Sequence, residues 1–234
     1  FNEEDGIEFI LVVCSCLRVS DMQMEYSEYI DYVLPNTRKL VDKFRELKLP
    51  IVWTNWAHRI DDGFSGALNR FVGSEGIKAK KNISYIYEEN GVDTVDILAP
   101  QTAEEMSRVM HSLHFSKFAE LDADGREILY PMLQAWGVNT LVIVGAWTDA
   151  CIAGTCFDAT DRYGYDVVAV TDGIASATTR GGYMLDCLTH VVSKPATCEE
   201  IISHLTNNPE LVSEPNAPLH GNVRFTHHSL VCTR

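Results

Sequence analysis

Hydrophobic positions along this chain follow two alternating patterns. Phe9-Ile-Leu-Val-Val13 is a continuous apolar run rich in β-branched residues, and similar runs recur at Ile51-Val-Trp53, Thr140 to Val144 and Val167 to Val170. Runs that are apolar at every position, rather than at alternate ones, belong to strands buried on both faces of a parallel sheet. Between them the period becomes helical. From Pro35 to Lys48, residues Leu40, Val41, Phe44 and Leu47 recur at spacings of three and four with charges on the far face, and Pro35 suits a first turn. From Arg126 to Trp136 the same spacing recurs in Ile128, Leu129, Met132, Leu133 and Trp136, and Gly137 supplies a stop. Pro131 conflicts with that helix unless its first turn begins later than Arg126.

Strands alternating with helices of this length predict right-handed crossovers and one α/β domain with a doubly wound, mostly parallel sheet and helices on both faces. Ligands of such sheets bind at the carboxyl ends of the strands. Three segments leave the predicted strands there: Cys14-Ser15-Cys16, His111-Ser112-Leu113-His114, and the turn before Cys151. The domain is expected to span residues 1–206. The tail, residues 207–234, holds Pro209, Pro215 and Pro218 without periodicity, as a segment that wraps the domain or reaches a neighbouring subunit.

Composition narrows the functional classes. The net charge of −14 over 234 residues opposes nucleic-acid phosphates and anionic membrane surfaces alike. The longest basic run, Lys78-Ala-Lys-Lys81, reads as a solvated loop. No apolar run reaches the ~20 residues that a membrane-spanning helix needs, so a soluble protein is expected. The seven cysteines are an odd number without a paired CxxC, which predicts free thiols in a reducing, cytoplasmic setting. The first six residues, Phe1-Asn-Glu-Glu-Asp-Gly6, have neither the basic start nor the apolar stretch typical of a secretion signal, and the sequon Asn82-Ile-Ser84 is weak evidence by itself. No cofactor is expected.

The strongest chemical signal is Gly145-Ala-Trp-Thr-Asp-Ala-Cys151, placed between an apolar strand and an incipient helix. A thiol at a helix N-terminus feels the positive end of the helix dipole, and nearby backbone N–H groups can stabilise an oxyanion. Asp149 fits a role in orienting the turn or capping the helix. A nucleophilic thiol also needs a base and a group that holds that base.

Gly137-Val-Asn-Thr-Leu-Val-Ile-Val-Gly145, Trp147-Thr-Asp-Ala-Cys151, Asp158-Ala159 and Tyr163 to Asp172 follow one another at a spacing that resembles the isochorismatase-like superfamily of cysteine hydrolases. Pro35-Asn36 and Pro50 to Thr54 resemble its first helix and second strand, and the likeness covers most of residues 7 to 205. The resemblance implies a three-layer, Rossmann-like fold and a site made of an aspartate after the first strand, a lysine after a middle strand, and the cysteine. It also implies a cis peptide before Trp147 and an oxyanion hole formed by the N–H groups of Trp147 and Cys151. Homo-oligomers are common in the family. Counting along the apolar run puts Cys14 in the aspartate position, with Ser15 next to it, and counting from Ser116-Lys117-Phe118 puts Ser112 in the lysine position. Nicotinamidase-like members carry a metal-binding aspartate where this chain has Trp56, so His58 lacks its partner and no metal is expected.

Three functional readings follow. The first is an impaired or non-catalytic family member with a binding or assembly role, its pocket floored by Cys14, Ser112 and Cys151 and walled by Trp56 and Trp147, open to a small planar or aromatic ligand. The second is an active cysteine hydrolase of a small amide, ester or vinyl ether with a rearranged site, in which His111 or His114, Asp21 or Lys117 replaces the absent groups. Asp21 stands in Asp21-Met-Gln23, which matches the family's usual triplet. The third is a redox pair of Cys14 with Cys151, Cys16 being the alternative partner.

Overall fold

In this computed structural model the residues described are 15–56, 92–112, 114–176 and 178–209. They contain a six-stranded sheet in the order β3-β2-β1-β4-β5-β6. Its strands are β1 (Ser15–Ser20), β2 (Ile51–Trp56), β3 (Val109–Ser112), β4 (Thr140–Ala146), β5 (Asp166–Ala175) and β6 (Lys194–Ala196). All five pairings are parallel. The α-helices among the described residues are α1 (Ser27–Ile30), α2 (Leu34–Glu46), α3 (Ala103–Met106), α4 (Leu129–Ala135), α5 (Ala153–Phe157), α6 (Gly181–Val191) and α7 (Cys198–Asn207). The expected doubly wound α/β architecture is present.

Alternation along the strands distributes side chains between two cores. On one face, Leu17, Val19, Val142 and Val144 pack with Leu40, Val41 and Phe44 of α2 and Ile201 and Leu205 of α7. On the other, Val52, Leu141, Ile143, Val167 and Ala169 pack with Leu129 and Leu133 of α4, Cys156 of α5 and Leu188 of α6. The β4 strand is buried at every position, as its apolar run predicts. The helix α4 begins at Leu129 rather than Arg126, so Pro131 falls within the first turn, where backbone N–H groups have no intrahelical acceptor to lose. Gly137 ends it with φ +66°.

The first strand departs from expectation. Phe9–Val13 and Cys14 lie outside the described residues, and the described strand runs through Ser20, in register with Ile51–Thr54 on one side and Thr140–Gly145 on the other. The residue at its carboxyl end is therefore Asp21, not Cys14. Ser15 pairs with Thr140 at the opposite end of the strand. At ~3.3 Å per residue that is roughly 16 Å from the carboxyl edge, which removes Ser15 from the expected pocket. The strand was hidden because Ser15-Cys-Leu-Arg-Val-Ser20 is not an apolar run, yet Leu17, Arg18, Val19 and Ser20 are all buried.

Candidate active site

The sheet order reverses between β1 and β4, and in doubly wound sheets this switch point opens a crevice at the strands' carboxyl ends. Close approach of the two strands depends on Gly145. It has φ +128°, and a Cβ there would lie 2.0 Å from the Ser20 carbonyl oxygen, so no other residue fits. The chain then continues through a cis Ala146–Trp147 peptide into a π-helical turn, Thr148–Ile152, that carries Cys151. The cysteine is buried and its thiol is free.

Asp21 comes from β1. Its φ of +50° turns the chain sharply off the strand, a conformation that aspartate tolerates better than most residues. Its N–H donates to the Thr54 carbonyl at 2.7 Å, which fixes the turn against β2. The carboxylate is 1% exposed. It accepts from the Ser20 hydroxyl at 3.3 Å through Oδ2 and pairs with Lys117 Nζ at 3.1 Å through Oδ1. The Cys151 thiol lies near enough to feel the charge of the same carboxylate.

Lys117 opens a short 3-10 turn, Lys117–Ala119, after β3. It is fully buried and its Nζ lies 5.1 Å from the Trp56 ring centroid, a cation–π contact that partly replaces lost water. Its backbone is tied to α5. The Lys117 N–H donates to Thr155 Oγ1 at 3.2 Å, and the Thr155 hydroxyl donates to the Phe115 carbonyl at 3.3 Å. Gly154 permits this packing, since a Cβ there would sit 3.0 Å from the Ser116 nitrogen and 3.1 Å from the Phe115 carbonyl carbon.

Burial is the main cause that pushes the Cys151 thiol far above the ordinary thiol range; the Asp21 charge adds to it, Lys117 and Arg18 oppose it, and the hydrogen bond to Asp21 reinforces it. Cys151 thus rests as a neutral thiol with a carboxylate ready to receive its proton. Cys156, behind it on α5, is pushed up to about 12 by burial, against the pull of Arg18.

Counting put Cys14 and Ser112 in the aspartate and lysine positions, whereas the ion pair in the fold is made by Asp21 and Lys117. Asp21 and Lys117 lie beside Cys151, while the residues assigned in their places do other things. Cys14 lies outside the described residues. Ser112, at the end of β3, accepts from the His114 N–H at 3.1 Å. His114 Nδ1 pairs with Glu120 at 3.1 Å. Burial holds His111 below the ordinary imidazole value, with Asp93 opposing. Asp149 caps no helix; it accepts from the Thr178 hydroxyl at 3.1 Å and so ties the loop before α6 to the nucleophile's turn. Trp56 lies 5.5 Å from Phe115 and Trp147 5.0 Å from Tyr26, ring centre to ring centre. His58, Lys78–Lys81, the sequon at Asn82 and the tail from residue 210 lie outside the described residues. Among the described residues no group of three or more His, Cys, Asp or Glu is placed to hold a metal ion.

Sequence counting missed Asp21 because it anchored on the apolar run ending at Val13; the triplet Asp21-Met-Gln23 was the signal that located it. Gln23 explains the triplet's value. Its side-chain amide donates to the Trp56 carbonyl at 2.9 Å and accepts from the Trp56 N–H at 2.7 Å, clamping the chain after β1 to the end of β2.

The model of the isochorismatase domain family matches residues 10–189, and the chain belongs to that family. Solved structures share the fold. A cysteine hydrolase from Pseudomonas syringae pv. phaseolicola 1448A aligns with a TM-score of 0.70 at 20% identity, covering 83% of this chain and 93% of that one. N-carbamoylsarcosine amidase from Thermoplasma acidophilum aligns at 0.62 and 22% identity, covering 80% and 98%. Pyrazinamidase/nicotinamidase from Streptococcus mutans UA159 aligns at 0.63 and 21% identity, covering 78% and 99%. A search of curated proteins finds no match.

Proposed function

We propose that this chain is an active cysteine hydrolase that cleaves a carbon–nitrogen bond in a small amide, with Cys151 as nucleophile, Asp21 as general base and acid, and Lys117 as the cation that holds the base. The observation carrying this reading is the buried Asp21–Lys117 ion pair at 3.1 Å, whose charges both act on the Cys151 thiol. The case for an impaired member rested on the absence of these two groups from the thiol, and that motive is gone. Two similar structures are amidases by name, which makes amides the first substrates to try.

In this mechanism the Cys151 proton passes to Asp21 as the sulfur attacks the carbonyl carbon. Such a transfer needs no free thiolate at rest, so the raised thiol is compatible with catalysis. The N–H groups of Trp147 and Cys151 face the developing oxyanion. Collapse expels the amine, which takes the proton back from Asp21 and leaves a thioester on Cys151. Asp21 then takes a proton from the attacking water, and the acid departs as the thiol reforms. Amide plus water become acid plus amine. Lys117 pairs with Asp21 and holds it in place, and its remaining donors are available to a substrate oxygen. Tyr26, Tyr29 and Trp147 on one side, with Trp56 and Phe115 on the other, favour a small planar or aromatic substrate in a homo-oligomeric, cytoplasmic protein.

The test is hydrolysis of a panel of small aromatic and aliphatic amides, with p-nitrophenyl acetate as an activated ester, by wild type and Cys151→Ala. Turnover by wild type, loss in the variant and an acyl adduct on Cys151 by mass spectrometry support the reading. An inert wild type whose Cys151 forms no adduct and reacts with iodoacetamide no faster than Cys156 would return the chain to a binding role.

A further inference from the structure

A strand buried on both faces ordinarily carries only apolar side chains, because a buried charge costs several kcal/mol to desolvate. The middle of β1 carries Arg18, 1% exposed, on the face opposite Leu17 and Val19. Its guanidinium is not idle there. Nη2 donates to Ser20 Oγ at 2.9 Å and to Thr54 Oγ1 at 3.0 Å, both in buried positions. The Ser20 hydroxyl in turn donates to Asp21 Oδ2 at 3.3 Å.

This order of bonds has a chemical consequence. A guanidinium can only donate, so Ser20 must offer it a lone pair, and the single hydroxyl hydrogen is left to point at Asp21. With Oδ2 so engaged and Oδ1 on Lys117, the carboxylate has no freedom to rotate away from the thiol. The charge acts in the same sense. The groups facing the Cys151 thiol are Asp21 after β1, Lys117 after β3 and Arg18 within β1, and Arg18 also acts on Cys156 of α5. Of these, the two cations favour an anionic sulfur.

We propose that Arg18 is a positioning residue of this site: through Ser20 it fixes the Asp21 carboxylate in the orientation that receives the Cys151 proton. This rests on the cysteine-hydrolase reading and adds a second layer beneath it.

The experiment measures the pH dependence of Cys151 alkylation by iodoacetamide, site-resolved by mass spectrometry, in wild type, Arg18→Met, Arg18→Lys and Ser20→Ala. The p-nitrophenyl acetate kinetics are measured alongside. Arg18→Met is expected to slow Cys151 alkylation at pH 7 about tenfold, the size expected for losing a nearby cation and the orientation it enforces. Ser20→Ala keeps the guanidinium and breaks only the relay; it is expected to lower kcat about threefold to tenfold with KM unchanged, as for loss of one orienting hydrogen bond. Arg18→Lys restores much of the alkylation rate because the charge returns, and less of kcat because the fork is gone. A merely structural arginine would lower the melting temperature and leave the profile of the folded fraction unmoved. If Arg18→Met fails to fold, Ser20→Ala decides. Folded variants with wild-type alkylation rates and kcat overturn this inference alone, whereas an inert Cys151 in wild type overturns the hydrolase reading and this inference with it.

Discussion

Asp21 shows how much a single residue's surroundings change its meaning. In the sequence it stands beyond an apolar run and reads as a loop carboxylate; in the fold it is buried between an ammonium and a thiol. Asp21→Asn keeps the shape and removes the proton acceptor, and it should lower kcat about 10² to 10⁴-fold, the range for a general base, in the assay that responds to Cys151→Ala. Stability tests the pair separately. Removing one partner of a buried ion pair strands the other, so Lys117→Met should cost about 3 to 5 kcal/mol in urea denaturation. Asp21→Asn combined with Lys117→Met should cost clearly less than the sum of the two, because no lone charge is then left inside.

At the scale of elements, three chain segments must arrive together. The β1 strand delivers Asp21, the turn after β4 delivers Cys151, and the segment after β3 delivers Lys117 through its attachment to α5. Thr155 makes that attachment with both its donor and its acceptor. Thr155→Val keeps the volume but breaks both bonds; it should cost about 1 to 3 kcal/mol and lower kcat, read by thermal melting and steady-state kinetics. Gly145→Ala is more severe. Its methyl would collide with backbone rather than with a flexible side chain, so little folded protein should be recovered on expression. The elements themselves were unequally legible. β2, β4, β5, α2 and α4 follow apolar runs or helical spacing, whereas β1 mixes serine and arginine with leucine and valine and carries no local mark of burial. A strand of that kind is recognised by its neighbours, here the registers with β2 and β4.

Across the whole molecule, three buried thiols set a pH dependence of stability. Burial first, and neighbouring carboxylates for two of them, hold Cys151, Cys156 and Cys198 above the usual thiol range. The unfolded chain releases these protons near pH 8.5 to 9 while the folded chain retains them, so the stabilisation is full below that range and is lost as pH rises through it. Melting temperature should fall from pH 8.5 to 10.5, and Cys156→Ala should make the fall shallower. No helix among the described residues is long and apolar enough to cross a membrane, in keeping with the apolar runs, which are short. By itself the sequence determined the alternation of buried strands and amphipathic helices, the placement of Cys151 after β4 and the family likeness, because each is written in local order: apolar runs, periodicity and a compact motif. Which acid and which cation lie beside that thiol was decided only by tertiary structure. Asp21, Lys117 and Cys151 are far apart along the chain, and what brings them within bonding distance is the parallel register of β1 against β2 and β4 and the packing of α5 on the segment after β3.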